Sequence, residues 1–484
     1  MRVLAVRNGL WNALANATTS LVGALGSIII VRSLSPDEYG LFSYYLWLAS
    51  IIGTLGTLAL AEAVTKVTSE LRGQGIGREA LALARWATLG LLVINCAFAV
   101  AVLVWALQSP SVQRSYLLII AVIVVPNGLM AVFRSTLWGS ERYRPVSISI
   151  IAASVIQLAM IGIAYLANWG GPGYAAAVLS ASVTQAIGFG LALVWKSDSL
   201  ATPLGLRLPS RGSLRLYFGF AGPATLVLLF DLVIWQRSGV FFLERYSTLE
   251  QVGYFSLAFT IFYMFLTLGW ALVNGFYPAI SHDYGAGNWL RISERMRQGV
   301  LMAALFSVPL TFGGWATLEG LITLLYGQKM LPAVPVTQIL FLGLIPGTIA
   351  AMFGLMVNAV GGVWLHVKLG VIISVFNITL NLILTPTYGA VGSAAATTGT
   401  QVVHVALLVA ATHRLYGLRL PWRALVSLLA IGVATTFLLP ELLRAYLPGT
   451  WGLFAAIGLS GCLYLMVVWR LGHLQPLRKM EVTP

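Results

Sequence analysis

The stretch VRSLSPDEYGLFS, Val31 to Ser43, lies between two long apolar runs and carries Arg32, Asp37 and Glu38. It returns 213 positions later as ERYSTLEQVGYFS, Glu244 to Ser256. Without a gap, Arg32 falls on Arg245, Gly40 on Gly253, Phe42 on Phe255, Ser43 on Ser256 and Asp37 on Glu250. The register extends beyond the loop. Gly9 meets Gly222, Gly26 meets Gly239, and Thr54-Leu55-Gly56 meets Thr267-Leu268-Gly269. The identities gather at the loop, at one triplet and at glycines, where backbone geometry is most demanding. An internal duplication accounts for that clustering.

Composition says what kind of chain was duplicated. Of its 484 residues, 58% are hydrophobic and 9% charged. A soluble domain is about a quarter charged. A water-soluble globule could not hide this much apolar surface, so a polytopic membrane protein is expected. Cys96 and Cys462 both fall inside apolar runs and are expected to be buried small hydrophobes, with no CxxC and no disulfide framework. The five His residues show no metal-ligand spacing. The first apolar run is long enough to span and lacks an A-x-A-like cleavage site, so it is expected to stay in the membrane.

Fourteen apolar runs are long enough to cross a bilayer, at roughly 9–31, 40–63, 87–107, 115–137, 147–167, 174–195, 216–243, 252–274, 299–325, 333–357, 368–386, 389–412, 422–440 and 450–469. Alternate connections carry 23 of the 29 basic residues, and the opposite set carries 6. That asymmetry places both termini in the cytoplasm. It also accounts for the net charge of +14 without nucleic acid. The connections 64–86 and 275–298 occupy equivalent places in the two repeats, with Glu70 on Asp283. They read either as interfacial helices on the anionic inner leaflet or as plain solvated connectors.

The repeats begin six spans apart, so both have the same orientation. The expected fold is all-α, with about 14 transmembrane helices in two pseudo-symmetric six-helix lobes plus two extra C-terminal helices. Residues 1–195 form the first lobe, 196–215 a cytoplasmic linker acting as a hinge strap, 216–412 the second lobe, and 413–484 the appended helices with a cytoplasmic tail.

An intramembrane charge costs at least about 2.5–3.5 kcal/mol, so each one retained is a functional candidate. Asp231 lies near the middle of the seventh span, with Arg237 on the same span. Six residues is about 240° around a helix, so these two seek partners on other helices, with Arg134 a candidate for Asp231. Arg32, Arg237 and Arg245 are expected at the outer mouth; Glu62, Lys66 and Arg134 are expected near the inner one. Snorkelling anchors are the alternative role for these end-of-span residues. Asn8, Asn12 and Asn16 repeat at i, i+4, i+8 and form one polar stripe on the first span, facing a cavity or another helix. Asn377 and Asn381 make a similar pair, read as helix–helix glue.

A first span rich in Asn that ends in R-x-L-S-P-D-E-Y-G-x-F (Arg32 to Phe42), a second span ending A-E-A-V-T-K (Ala61 to Lys66), and fourteen spans in two lobes resemble the polysaccharide transporter branch of the multidrug/oligosaccharidyl-lipid/polysaccharide (MOP) flippase superfamily. The likeness is clearest over residues 1–75. It implies a flippase, not an enzyme, that moves a polyprenyl-pyrophosphate-linked oligosaccharide from the cytoplasmic to the outer leaflet by alternating access, for O-antigen, capsule or exopolysaccharide assembly. It implies membrane lipid, glycan polymerase and other assembly proteins as partners, and the plasma or inner membrane as location. The lipid II flippases of the superfamily carry basic residues in the first span, where this chain has Asn8, Asn12 and Asn16. The substrate-binding set is then Asn8, Asn12, Asn16, Arg32, Arg134, Arg237 and Arg245, with Asp231 and Glu62 for ion coupling. No cofactor is expected, and no nucleotide-binding motif is present. The alternatives are a cation-coupled multidrug exporter and a membrane glycan polymerase or ligase. The latter resemble one another in a large outer loop with catalytic residues, and no outer connection here is long enough.

Overall fold

The computed structural model describes residues 2–194, 208–235, 238–446 and 449–472. The segment 196–207 of the expected strap, Arg237 and the tail after residue 472 lie outside them. Among the described residues there is no β-strand. The helices in chain order are α1 Arg2–Ser33, α2 Pro36–Thr57, α3 Leu60–Gly73, α4 Gly77–Gln108, α5 Ser111–Gly139, α6 Tyr143–Leu166, α7 Gly170–Val194, α8 Arg211–Trp235, α9 Ser238–Tyr246, α10 Leu249–Asn274, α11 Tyr277–Gly285, α12 Trp289–Tyr326, α13 Ala333–Leu342, α14 Leu344–Ala359, α15 Val363–Tyr416, α16 Trp422–Gly432, α17 Leu439–Tyr446 and α18 Thr450–Arg470.

The repeated loop is a helix start, made the same way twice. Ser35 is the N-cap of α2, Pro36 is its first residue, and the Ser35 N–H donates to Glu38 Oε2 at 2.9 Å. This is half of a capping box, and proline at the first helical position removes no hydrogen bond. In the second copy Thr248 caps α10, and its hydroxyl accepts from the Gln251 N–H at 3.4 Å. Ser35 and Thr248 differ by the repeat length, so duplicated sequence makes a duplicated structural joint. Arg32 and Arg245 each sit in the last turn of the preceding helix, where a cation complements the helix C-terminus.

The chain divides into two compact units, Met1–Leu232 and Val233–Pro484. Within the first, α1 packs on α6, α2 on α5, α3 on α4 and α5, α4 on α5, and α5 on α7. Within the second, α9 packs on α15, α10 on α13 and α14, α11 on α12 and α14, α12 on α14, and α13 on α15. The two sets of neighbours correspond element by element. The appended α16 and α18 both dock on α12.

Helix α15 holds two crossings. It spans 54 residues, with non-helical Gly389 (φ 54°, ψ −132°) inside it. A straight helix of that length would run about 80 Å, more than twice the apolar thickness of a bilayer. The side chains show a hairpin instead. Asn377 Nδ2 donates to Thr400 Oγ1 at 3.0 Å, and Thr385 Oγ1 lies 2.8 Å from Ser393 Oγ. Both pairs of residue numbers sum to nearly the same value, the signature of antiparallel arms folded at Gly389. Among the described residues twelve helices are long and apolar enough to cross a membrane, and the bent pair α2–α3 brings the number to thirteen if it is taken as one span. Counting α15 as two crossings restores the fourteen read from sequence.

Asn377 and Asn381 are the glue of this hairpin. Both are buried. Asn381 Nδ2 donates to Asn377 O at 3.0 Å, Thr385 Oγ1 to Asn381 Oδ1 at 3.2 Å, and Ser238 Oγ to Asn377 Oδ1 at 3.0 Å. Interhelical hydrogen bonds of this kind contribute about 0.6–1.7 kcal/mol in a membrane. Asn377→Ala is expected to lower thermal stability in detergent by about 1–2 kcal/mol, since it removes the bonds to Thr400 and Ser238. A melting curve matching the parent's would show that the ladder is incidental.

One expectation is refined and one is corrected. The connections 64–86 and 275–298 are partly helical, the first holding the end of α3 and the second holding α11, Tyr277–Gly285. Residues 60–73 continue the second span after a bend of 43°, and Gly77 and Trp289 already begin α4 and α12. The apolar face of α3, Ala61, Val64, Val67 and Leu71, is covered by Ala80, Leu83, Ala84 and Ala87 of α4 and by Ala131 and Val132 of α5. That face meets protein, so it is not free to lie on lipid. Cys96 and Cys462 are exposed rather than buried. In a bundle surrounded by lipid, an apolar side chain leaves water without entering the protein core.

Candidate functional site

The second span breaks where nothing in TLALAEA predicts it. Leu58 (φ 44°) and Ala59 (φ 54°) both adopt the left-handed conformation, at a cost of roughly 1–2 kcal/mol each. A broken helix frees carbonyls that lipid cannot satisfy. Here neighbouring helices satisfy them. Thr225 Oγ1 of α8 donates to Leu58 O, and Tyr217 OH of α8 donates to Leu60 O at 3.0 Å. One turn earlier, Asn95 Nδ2 of α4 donates to Gly56 O at 3.1 Å and to Leu91 O at 2.7 Å. Asn95 fits because two glycines face it. A Cβ on Gly56 would stand 2.5 Å from Asn95 Oδ1, and one on Gly128 would stand 2.4 Å from its Nδ2.

The break places charge. It gives α3 a new N-terminus, and Glu62 sits in its first turn, where the free amides favour an acid. Lys66 follows one turn later, its Nζ 4.7 Å from the centre of the Phe220 ring of α8. Across from them on α5, the Arg134 guanidinium lies 5.0 Å from the ring of Trp138, its neighbour at i+4. Arg134 Nε and Trp138 Nε1 are both buried without a hydrogen-bond partner. Glu62 is close enough to act electrostatically on Arg134. The ion pairs Arg295–Asp283 and Arg297–Glu294 lie elsewhere and engage none of Glu62, Lys66 and Arg134. Three charges at a helix break, with Arg134 Nε and Trp138 Nε1 buried and unpartnered beside them, form a site able to receive an oxyanion.

Of the residues singled out from sequence, Glu62 and Arg134 meet here. Arg32 and Arg245 are exposed at the equivalent ends of α1 and α9, and neither belongs to the cluster. Asn16 is exposed on α1. The side chains of Asn8, Asn12 and Asp231 lie outside the described ones, as does Arg237. Sequence reading missed Trp138, Tyr217, Phe220, Thr225 and Asn95. Asn95 alone left a signal, as an amide interrupting the apolar run of the third span.

The other polar contacts are structural. Asp283, the counterpart of Glu70, is buried and takes Arg295 Nε, pinning α11 to α12. At the turn before α6, Arg142 Nη2 donates to Ala192 O at 2.5 Å and ties down the end of α7. Burial, and then nearby Arg72, draw its guanidinium below the ordinary range.

A family model described as polysaccharide biosynthesis protein matches residues 5–282, more than half of the chain. A second, MatE, matches residues 225–387. No curated protein sequence matches. Among solved structures the chain is similar to a lipid II flippase MurJ in an inward closed conformation, with TM-score 0.73 and 14% identity over 96% of this chain and 98% of that one. It is similar to a multidrug resistance MATE family transporter of the MOP superfamily in an inward-facing conformation, with TM-score 0.69 and 15% identity over 82% of this chain and 94% of that one. It is also similar to a MOP superfamily transporter from Pyrococcus furiosus, with TM-score 0.60 and 14% identity over 86% and 95%. At these identities the likeness is one of fold.

Proposed function

The chain belongs to the polysaccharide biosynthesis protein family, multi-pass membrane transporters of the MOP superfamily, and from that premise we propose that it flips a polyprenyl-pyrophosphate-linked oligosaccharide. The observation that carries this reading is the unpaired cluster of Glu62, Lys66 and Arg134. Retaining such charges within a span costs at least about 2.5 kcal/mol each, and among the described residues none of them is in an ion pair closer than 4 Å. A pyrophosphate offers acceptors to Arg134, Trp138 Nε1 and Lys66 together, and a planar guanidinium suits it.

The excess of basic residues in alternate connections supports a location of both termini and this cluster at the cytoplasmic side of the plasma or inner membrane, where such a substrate is made. Asn8, Asn12 and Asn16 supply hydrogen bonds to the glycan. Arg32, Arg237 and Arg245 receive the anion on the outer side, and Asp231 and Glu62 carry the coupling cation. A glycan polymerase takes the product.

The MatE match over residues 225–387 supports a second reading, a cation-coupled multidrug exporter. A deletion strain separates the two. Loss of surface glycan with unchanged drug susceptibility is the expected result. Intact glycan with raised sensitivity to cationic drugs would transfer the assignment to drug export.

A further inference from the structure

The charged cluster is divided between two helices. Glu62 and Lys66 ride on α3, and Arg134 is on α5, so the direction in which α3 leaves the break decides whether the three charges meet. That direction rests on two consecutive left-handed residues, Leu58 and Ala59, neither of them glycine. Their side chains disfavour the conformation. The compensation comes from α8, whose Tyr217 and Thr225 hold the carbonyls of Leu60 and Leu58. The same helix supplies Phe220 beneath Lys66. It is anchored at its start by Glu79 of α4, whose carboxylate accepts from the Ser210 N–H and, at 3.0 Å, from the Ser213 hydroxyl. Ser213, Tyr217 and Ala221 are buried at successive turns, so one face of α8 lies along the break.

The duplicate breaks differently. The matching residues, Ala271 and Leu272, lie inside α10, which ends at Asn274 before α11 begins at Tyr277, and the two together form one run, Leu249–Gly285, whereas α2 and α3 are bent by 43°. The second unit also has no left-handed non-glycine residue among those described. Helix α8 then continues to Trp235, across the boundary after Leu232 where the second unit begins.

We propose that α8 is a latch that assembles the oxyanion site: while Tyr217 and Thr225 hold the broken helix bent, Glu62 and Lys66 stand beside Arg134, and when α8 lets go α3 swings away and the site comes apart. The proposal rests on the flippase reading for what the site carries, but not for the motion itself. Thr65 and Ser69 also bond α3 to Ser135 O and Gly139 O of α5, so the released form is a minority even without the latch.

The test uses the full chain in lipid nanodiscs, with Cys96 and Cys462 replaced by serine and spin labels at exposed Ser69 of α3 and Ile148 of α6. Removing a bend of 43° would move Ser69 by about 10 Å, which pulsed dipolar spectroscopy resolves. In the parent a single dominant distance is expected. The isosteric pair Tyr217→Phe and Thr225→Val is expected to raise a second distance population by about tenfold or more, the effect of two lost hydrogen bonds. Adding Ala59→Gly, which relieves the left-handed cost, is expected to restore the single distance. One unchanged distance in the folded double variant would overturn the latch. If the double variant does not fold, Thr225→Val alone is read against Thr225→Val with Ala59→Gly, and identical distributions would overturn it. No substrate is present, so export assays on Lys66 and Arg134 variants can fail while the latch stands, and the reverse.

Discussion

Replacing Arg134 by alanine is expected to abolish glycan export while leaving the protein folded. Arg134 Nε has no hydrogen-bond partner, and the guanidinium's contact with Trp138 is worth about 0.5–1 kcal/mol, so stability should change little. Truncating one partner of a desolvated charge pair costs about 2–5 kcal/mol, which is roughly 30- to 4,000-fold in the step that uses it. Arg134→Lys keeps the charge but loses the planar fork, and is expected to recover part of the activity. The check is surface glycan per cell, alongside the melting temperature of the purified variant. A variant that exports normally would remove Arg134 from the site. One that melts far below the parent would show that its role is structural.

The largest structural effect is expected at Gly392. A Cβ there would lie 2.2 Å from the backbone oxygen of Leu384 and 2.6 Å from its carbonyl carbon. Backbone cannot swing aside as a side chain can, so Gly392→Ala must part the two arms of α15. Parting them breaks Asn377–Thr400 and Thr385–Ser393 together. Two buried polar pairs and their packing represent a loss of at least about 3 kcal/mol. The expected outcome is a protein that is degraded in the membrane or melts far below the parent. Preserved stability would mean that the fold at Gly389 is looser than its side-chain pairing indicates.

These two residues mark the limits of sequence reading. The hairpin was legible as two runs, 368–386 and 389–412, and the arms of α15 meet where those runs are parted. The repeat was legible because Arg32, Gly40, Phe42 and Ser43 return as Arg245, Gly253, Phe255 and Ser256, a local pattern that needs no knowledge of distant contacts. Glu62 and Arg134 stood out because a charge in an apolar run is costly. The break that brings them together was not legible. Leu58 and Ala59 are ordinary helix residues, and the partners that hold them bent, Tyr217 and Thr225, lie more than 150 positions away. Propensity favours a helix there, and the matching residues Ala271 and Leu272 are helical inside α10. Cys96 and Cys462 went wrong for a different reason, because hydrophobicity in a membrane chain does not separate core from lipid-facing surface.

The measurement that tests the central claim most directly is the sidedness of the lipid-linked oligosaccharide in membranes with the protein, without it, and with Lys66→Ala/Arg134→Ala. Lectin access in right-side-out and inverted vesicles reports it. Accumulation on the cytoplasmic face, both on deletion and with the double variant, is the predicted result. Accumulation on the outer face, or an unchanged distribution in all three membranes, would contradict flipping through this site.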